Sequence, residues 1–270
     1  MNDCVVILAG GQGSRLRPYT TVLPKPLMPV GDVPILELLV KQLRALGLKR
    51  LIFATNYRDG LLRSYFGTGQ TLGVDISYCK ENRPMGTVGP LHLVADQLPQ
   101  SFLVMNGDIL TDLNYRTLLE THKQSGKLLT LGTYERRLQI GDGVLDIDGA
   151  GCVSAFREKP TIPLTISLGA YAMDRAILDL IPEGLPFGMD ELVLSMLERN
   201  LPVNTYHHDG MWLDIGTPGD LERANELFSS RRKSFLGIDP ATLLAPNDTP
   251  QSTAPVAPTA SGNPTEGVCV

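Results

Sequence analysis

Cysteine, histidine and surplus positive charge are all scarce in this chain, and each scarcity removes a class of protein. The four cysteines, Cys4, Cys79, Cys152 and Cys269, show no CxxC spacing anywhere in 270 residues. They read as scattered thiols in a reducing compartment rather than as a disulfide framework or a zinc site. Of the four histidines, His207 and His208 are adjacent, so on a strand they point to opposite faces and form no catalytic pair. A formal net charge of -5 argues against a nucleic-acid partner, whose footprint is a basic face. The opening "MNDCVVILAGG" has no basic leader, and its apolar run is too short for a signal peptide or a membrane span. No membrane partner and a cytoplasmic location are therefore the expectations. Nothing in the sequence specifies an oligomeric state.

What is present is ample apolar content, 43% of the chain, enough to bury a sizeable core in one large domain. "CVVILA", "LIFAT", "VDISYC" and "FLVMN" are short β-branched or aromatic runs separated by longer segments of helical periodicity. That alternation predicts an α/β fold with an open, mostly parallel sheet flanked by helices. In the helix expected from Pro34, Leu36, Leu39, Leu43 and Leu46 recur at helical spacing, Asp32 is placed to cap its start and Gly47 to close its end. From Lys127 the strands follow more closely ("LLTLGTY", "GVLDID", "VSAFREK", "ISLGAYAM"), which predicts extra antiparallel strands in the second half. Two further helices, "MDELVLSMLERN" and "PGDLERANELF", come after them. Residues 1–236 thus read as one domain, and the Pro/Ala/Thr-rich stretch 237–270 as a disordered tail.

The first strand runs into "VVILAGGQGSRLRPYT". A dinucleotide fingerprint fails there because Leu16 stands at the third glycine position, and no P-loop lysine is present. What remains is Gly10, Gly11 and Gly13, whose missing side chains let backbone amides approach a phosphate, with Arg15 and Arg17 close behind. A tight surface turn with solvated arginines is the plain alternative. The next stretch, "LPKPLMPV", sets Lys25 between two prolines that are expected to hold the backbone extended, which suggests a lysine poised for a ligand. Two apolar strand ends carry carboxylates, Asp108 in "FLVMNGDIL" and Asp214 in "MWLDIGTP", at the edge where open α/β sheets bind ligands. Asp214 could alternatively cap the helix that begins near Pro218.

The combination "LAGGQGSRLRPYT…LPKPLMPVGDVPIL" resembles the signature of the sugar-1-phosphate nucleotidyltransferases. The likeness extends over roughly residues 3 to 228, through "RPMGTVGPL", "NGDIL", "GDGVLDID", "REKP", "SLGAYAM" and "WLDIGTP". It implies a nucleotide site made by Leu8, Ala9, Gly10, Gly11, Gly13, Gly86 and Thr87. It also implies catalytic roles for Arg15, Lys25 and Asp108, and a Mg²⁺ ion shared by Asp108 and Asp214. For the sugar phosphate it implies Gly143, Glu158, Lys159 and Gly169. Two positions depart from the usual pattern: Ser167-Leu168 precedes Gly169 where many relatives have Asn-Ala, and Asp142 precedes Gly143 where a tyrosine is usual.

The resemblance implies that a nucleoside triphosphate and a sugar 1-phosphate yield a nucleotide sugar and pyrophosphate. The "PKPLMPV" form and the second half are similar to the short guanylyltransferase branch acting on manno-configured sugars, which favours GTP with a mannose-like hexose or heptose. Thymidylyl transfer to glucose 1-phosphate, transfer to a non-sugar phosphate such as phosphocholine, and a non-catalytic nucleotide-sugar-binding subunit remain the alternatives.

Overall fold

The computed structural model describes residues 3–11, 13–56 and 59–236. The segment 237–270, expected to form a tail, lies outside the described residues. In chain order the first half comprises β1 (Cys4–Leu8), β2 (Pro29–Val30), β3 (Val33–Pro34), α1 (Ile35–Ala45), β4 (Arg50–Thr55), α2 (Asp59–Phe66), β5 (Asp75–Lys80), β6 (Ser101–Asn106), β7 (Ile109–Thr111) and α3 (Tyr115–Ser125). The second half comprises β8 (Leu129–Gln139), β9 (Val144–Ile147), β10 (Val153–Arg157), β11 (Thr161–Asp174), α4 (Met189–Glu198), β12 (Asn204–His208), β13 (Trp212–Asp214) and α5 (Pro218–Leu236).

Seven strands make the main sheet, in the order β12-β8-β11-β6-β1-β4-β5. β1 pairs in parallel with β4 and β6, as do β4 with β5 and β12 with β8. β11 runs antiparallel to both of its neighbours. The mostly parallel α/β sheet and the antiparallel addition in the second half are both as the sequence predicts. The apolar runs are continuous because both faces of the sheet are covered. Val5 and Ile7 of β1 pack with Leu36, Leu39 and Leu43 of α1 and Leu118 of α3. Their neighbours Cys4 and Val6 point the other way, into a cluster with Leu192 and Met196 of α4.

The start of α1 differs from the sequence expectation. Pro34 bounds the helix and no side chain caps it, because residues 33–34 are engaged as β3 against β2. Asp32 instead pairs with Arg232 at 3.2 Å. The end is as expected: Gly47 takes φ +75°, and its amide donates to the Arg44 carbonyl at 2.9 Å, closing the helix in the left-handed conformation that glycine adopts without strain.

Two features lie outside the main sheet. A third apolar cluster, including Val30, Val33, Leu38, Leu110, Ile215 and Phe228, clamps α5 onto α1 and the small β2–β3 and β7–β13 sheets. In addition, β8 and β11 outrun the sheet as an exposed two-stranded arm, pairing from Ser167↔Thr133 out to Thr161↔Gln139. The antiparallel β9–β10 pair lies in the chain between these two strands. Among the described residues no helix is long and apolar enough to cross a membrane.

Candidate active site

The sheet reverses its order of growth between β1 and β6: β4 and β5 lie on one side of β1, whereas β11, β8 and β12 lie beyond β6. A crevice opens outside the carboxyl ends of strands at such a switch point. The glycine loop after β1 and Gly107-Asp108 after β6 meet there. The Gly107 amide donates to the Leu8 carbonyl at 3.0 Å, and a Cβ at Gly107 would stand only 3.1 Å from that oxygen. Gly13, at φ +60°, folds its loop so that the Thr20 hydroxyl donates to its carbonyl at 2.7 Å. A Cβ there would lie 2.9 Å from Thr20 and 3.1 Å from the Lys25 Cβ. The loop and the lysine are therefore packed together. Contrary to the sequence expectation, Lys25 opens a short 3₁₀ turn, Lys25–Leu27, flanked by extended Pro24 and Met28. The prolines stiffen a turn rather than an extended run, and they leave Lys25 7% exposed.

The Lys25 ammonium pairs with Asp108 and stands 3.8 Å from Asp214. These two aspartates, distant in sequence, are brought together by the β7–β13 ladder, where Asp214 faces Ile109 and the Ile215 amide donates to the Asp108 carbonyl at 3.3 Å. Capping of α5 falls to other residues: Asp220 accepts from the Thr217 amide at 2.8 Å, and the Thr217 hydroxyl accepts from the Asp220 amide at 3.3 Å. Asp214 is left to the crevice. Burial and the charge of Asp108 push its carboxyl above the usual range, against the pull of Lys25 and Arg15.

On one side of this trio lies a cavity of about 340 Å³, lined among others by Leu8, Gly10, Gly11, Lys25, Glu81, Gly86, Thr87, Asn106 and Asp108. Ala9 is buried beneath it, its amide donating to the Ala54 carbonyl at 2.8 Å. Gly86, at φ +73°, presses so closely on residue 187 that a Cβ would fall 2.5 Å from the Phe187 oxygen. The amides of Val88 and Gly89 donate to that same oxygen at 3.1 and 3.2 Å, so the turn is anchored. Glu81 accepts from the Met85 amide at 3.0 Å, and burial raises its pKa.

A second cavity, of about 420 Å³, opens beyond Asp214 and is lined by Arg15, Tyr134, Arg136, Trp212, Leu213, Asp214, Thr217, Asp220 and Arg223. Arg15 thus stands with Asp214 and not in the glycine-loop cavity; its guanidinium lies against Gly216, 3.3 Å from where a Cβ would be. Gly169, at φ +74°, abuts Asn106, whose Nδ2 would be 2.5 Å from an added Cβ, which places it against the wall of the first cavity. Gly143, Glu158 and Lys159 form a separate group in the segments flanking β9–β10, lining neither cavity. A Cβ on Gly143 would meet Phe156 at 2.7 Å and Glu158 at 3.3 Å. Glu158 and Lys159 are 4.0 Å apart and largely exposed, and Lys159 holds φ +42°.

Asn56, Glu81 and Asn106 escaped the sequence reading although each follows or ends a strand, the same signal that singled out Asp108. Tyr134, Arg136, Thr217 and Arg223 carry no such signal, because only the fold brings them to the crevice.

A glycine loop, a buried lysine and two carboxylates thus meet at the switch point of an open α/β sheet, the place where ligands bind in such folds. A profile described as nucleotidyl transferase matches residues 4–231. The chain belongs to that family. It is 33% identical over 229 residues to the mannose-1-phosphate guanylyltransferase of Mycobacterium tuberculosis, covering 82% of this chain and 63% of that protein. It is 30% identical over 238 residues to the UTP--glucose-1-phosphate uridylyltransferase of Synechocystis, covering 81% and 61%. HddC from Yersinia pseudotuberculosis complexed with GMP-PN superimposes with a TM-score of 0.64 at 25% identity, covering 84% of this chain and 99% of that one. The chain therefore spans a little over three fifths of the length of these two curated relatives.

Proposed function

We propose that the protein transfers a nucleotidyl group from a nucleoside triphosphate, GTP by preference, to a mannose-like hexose or heptose 1-phosphate, releasing pyrophosphate. The observation that carries this reading is Lys25, buried between Asp108 and Asp214 where the glycine loop meets the two cavities. The base and ribose occupy the first cavity, with Gly86 and Thr87 as contacts, and Leu8, Ala9, Gly10, Gly11 and Gly13 line or support the loop beside the phosphates. Glu81 favours guanine. An ionised carboxylate only accepts hydrogen bonds, and guanine alone among the common bases offers adjacent ring N–H and amino donors to accept from. The name of the mycobacterial relative and the GMP-PN held by HddC point the same way.

The acceptor needs no general base. Its phosphate has a second pKa of about 6 and is largely dianionic at neutral pH. One of its oxygens forms a bond to the α-phosphorus as the bond from that phosphorus to the β-bridging oxygen breaks, and the electron pair leaves on pyrophosphate. Lys25 neutralises charge at that phosphorus and Arg15 at the leaving side, while Glu158 and Lys159 hold the acceptor from the segment between β10 and β11.

Two facing carboxylates with one lysine between them fit Mg²⁺, which is usually held by one or two carboxylates with waters and substrate oxygens. Burial and the neighbouring Asp108 charge raise the Asp214 pKa despite Lys25, so a further cation at this pair would favour its ionised form. When bound there, Mg²⁺ supplies charge to both phosphates. A grid of the common triphosphates against several sugar 1-phosphates, read by pyrophosphate release with and without Mg²⁺, tests the reading. GTP with mannose 1-phosphate or a close relative is the expected optimum, and a clear preference for UTP, dTTP, CTP or ATP rejects the guanine assignment.

A further inference from the structure

The cavity beyond Asp214 is lined by more arginines than carboxylates. Arg15, Arg136 and Arg223 all line it, against the carboxylates of Asp214 and Asp220. Arg223 is tied to Asp220, which the Thr217 hydroxyl also holds at 2.7 Å. Lys25 leans on Asp214. That leaves Arg15 and Arg136 with no carboxylate within ion-pair distance among the described residues, and since Arg15 is given above to the leaving pyrophosphate, Arg136 is the cation without a role.

β8 explains where Arg136 points. Two residues beyond Tyr134, it shares that residue's face of the arm, because side chains alternate along a strand. Its neighbours Glu135 and Arg137 fall on the other face and pair with each other at 3.1 Å. Of this charged run, only Arg136 lines the cavity. Beside it the rings of Tyr134 and Trp212 lie 5.7 Å apart at 38°. The Trp212 indole is fixed by donating to the Leu168 carbonyl at 2.9 Å. An aromatic wall next to a guanidinium suits one ligand chemistry well: the apolar C–H face of a sugar on the rings and its phosphate on the arginine. The cavity's volume of about 420 Å³ lies within the range of small-ligand sites, roughly 300–1,000 Å³. It sits across Asp214 from the base cavity, at the root of the arm.

Resting on the transfer reaction proposed above, we infer that the acceptor enters through this second cavity and that Arg136 is a positioning and specificity-determining residue for its phosphate. Tyr134 and Trp212 flank the sugar ring. Arg15, given above to the leaving pyrophosphate, lines the same cavity; in-line transfer sets the acceptor phosphate at the Arg136 end and pyrophosphate at the Arg15 end, on opposite sides of the α-phosphorus, and the test separates the two sources of phosphate.

Mannose 1-phosphate and glucose 1-phosphate are titrated in turn by calorimetry into the full chain, with Mg²⁺ and a non-hydrolysable GTP analogue present; inorganic pyrophosphate is titrated separately. Arg136 is exposed and has no carboxylate partner among the described residues, so R136Q folds, which its melting temperature checks. R136Q is expected to weaken the better sugar phosphate about tenfold, the usual scale for a lost charge-assisted contact. R136K restores part of the loss, and pyrophosphate and analogue affinities stay within about twofold, below the scale of one lost contact. In turnover the sugar-phosphate KM rises while kcat holds. Unchanged sugar-phosphate binding in R136Q, no binding of either sugar phosphate by the wild type, or a loss falling on pyrophosphate instead overturns the inference. Weakened binding in R136Q together with a wild type that releases no pyrophosphate supports the site and counts against the transfer reaction.

Discussion

Replacing Lys25 by methionine keeps the volume of the side chain and removes only its charge. In the native protein the Lys25 side chain is buried, 9% exposed, while the Asp108 and Asp214 side chains are 24% and 43% exposed. Breaking a buried ion pair by deleting one partner typically costs about 3–5 kcal/mol. Water reaches both carboxylates here, so the lower figure of about 2–3 kcal/mol is appropriate. For a domain of this size that corresponds to a melting temperature lower by roughly 4–12 °C. The loss carries a pH signature. Burial already raises the Asp214 pKa above 3.8, so the folded protein binds that proton more tightly than the unfolded chain. The associated stability is fully present below 3.8 and is lost as pH rises through the raised folded value. Without Lys25 the value rises further, and the window widens upward. The deficit of K25M is therefore smallest in acid and grows as pH climbs towards neutrality. Mg²⁺ is expected to raise the variant's melting temperature more than the wild type's, because it replaces the missing charge. Differential scanning fluorimetry from pH 4 to 8, with and without Mg²⁺, reads all of this. A deficit that does not vary with pH would mean that Lys25 contributes packing alone, and indifference to Mg²⁺ would remove the ion from this pair.

D108N and D214N are each expected to lower kcat by orders of magnitude with the fold intact, since each removes charge rather than volume; near-normal Mg²⁺-dependent turnover in either refutes the shared ion. K159A should mainly raise the KM for the sugar phosphate, whereas R15A should damage triphosphate use and turnover, and identical kinetic profiles would deny two phosphate subsites. Alanine at Gly86 meets a positive φ and a Cβ 2.5 Å from a backbone oxygen, so G86A should lose about 2–4 kcal/mol and weaken nucleotide binding; a wild-type melting curve would show that the turn relaxes freely.

The sequence by itself determined the parallel half of the sheet, because short apolar runs alternating with segments of helical periodicity point to crossover-connected strands covered on both faces, and that alternation leaves few topologies. It also located Gly10, Gly13 and Asp108, since a glycine cluster or a carboxylate after an apolar strand falls at the carboxyl edge whatever the rest of the chain does. The same rule, applied evenly, would have found Asn56, Glu81 and Asn106. The β7–β13 ladder was different. Pairing of two three-residue strands about a hundred positions apart, under α5, sets Asp214 beside Asp108, whereas the Thr217–Asp220 cap that frees Asp214 from the helix is a local bond three residues apart that the sequence reading passed over. Asp32 lost its expected cap for a similar reason, since strand pairing at Val33 took precedence over a local side-chain bond. The division of Arg15 from the glycine-loop cavity, and the meeting of Arg136, Trp212 and Arg223 across three elements, were decided by tertiary structure alone. Sequence periodicity reports which face of an element is buried; it carries no information about which other element's face arrives opposite.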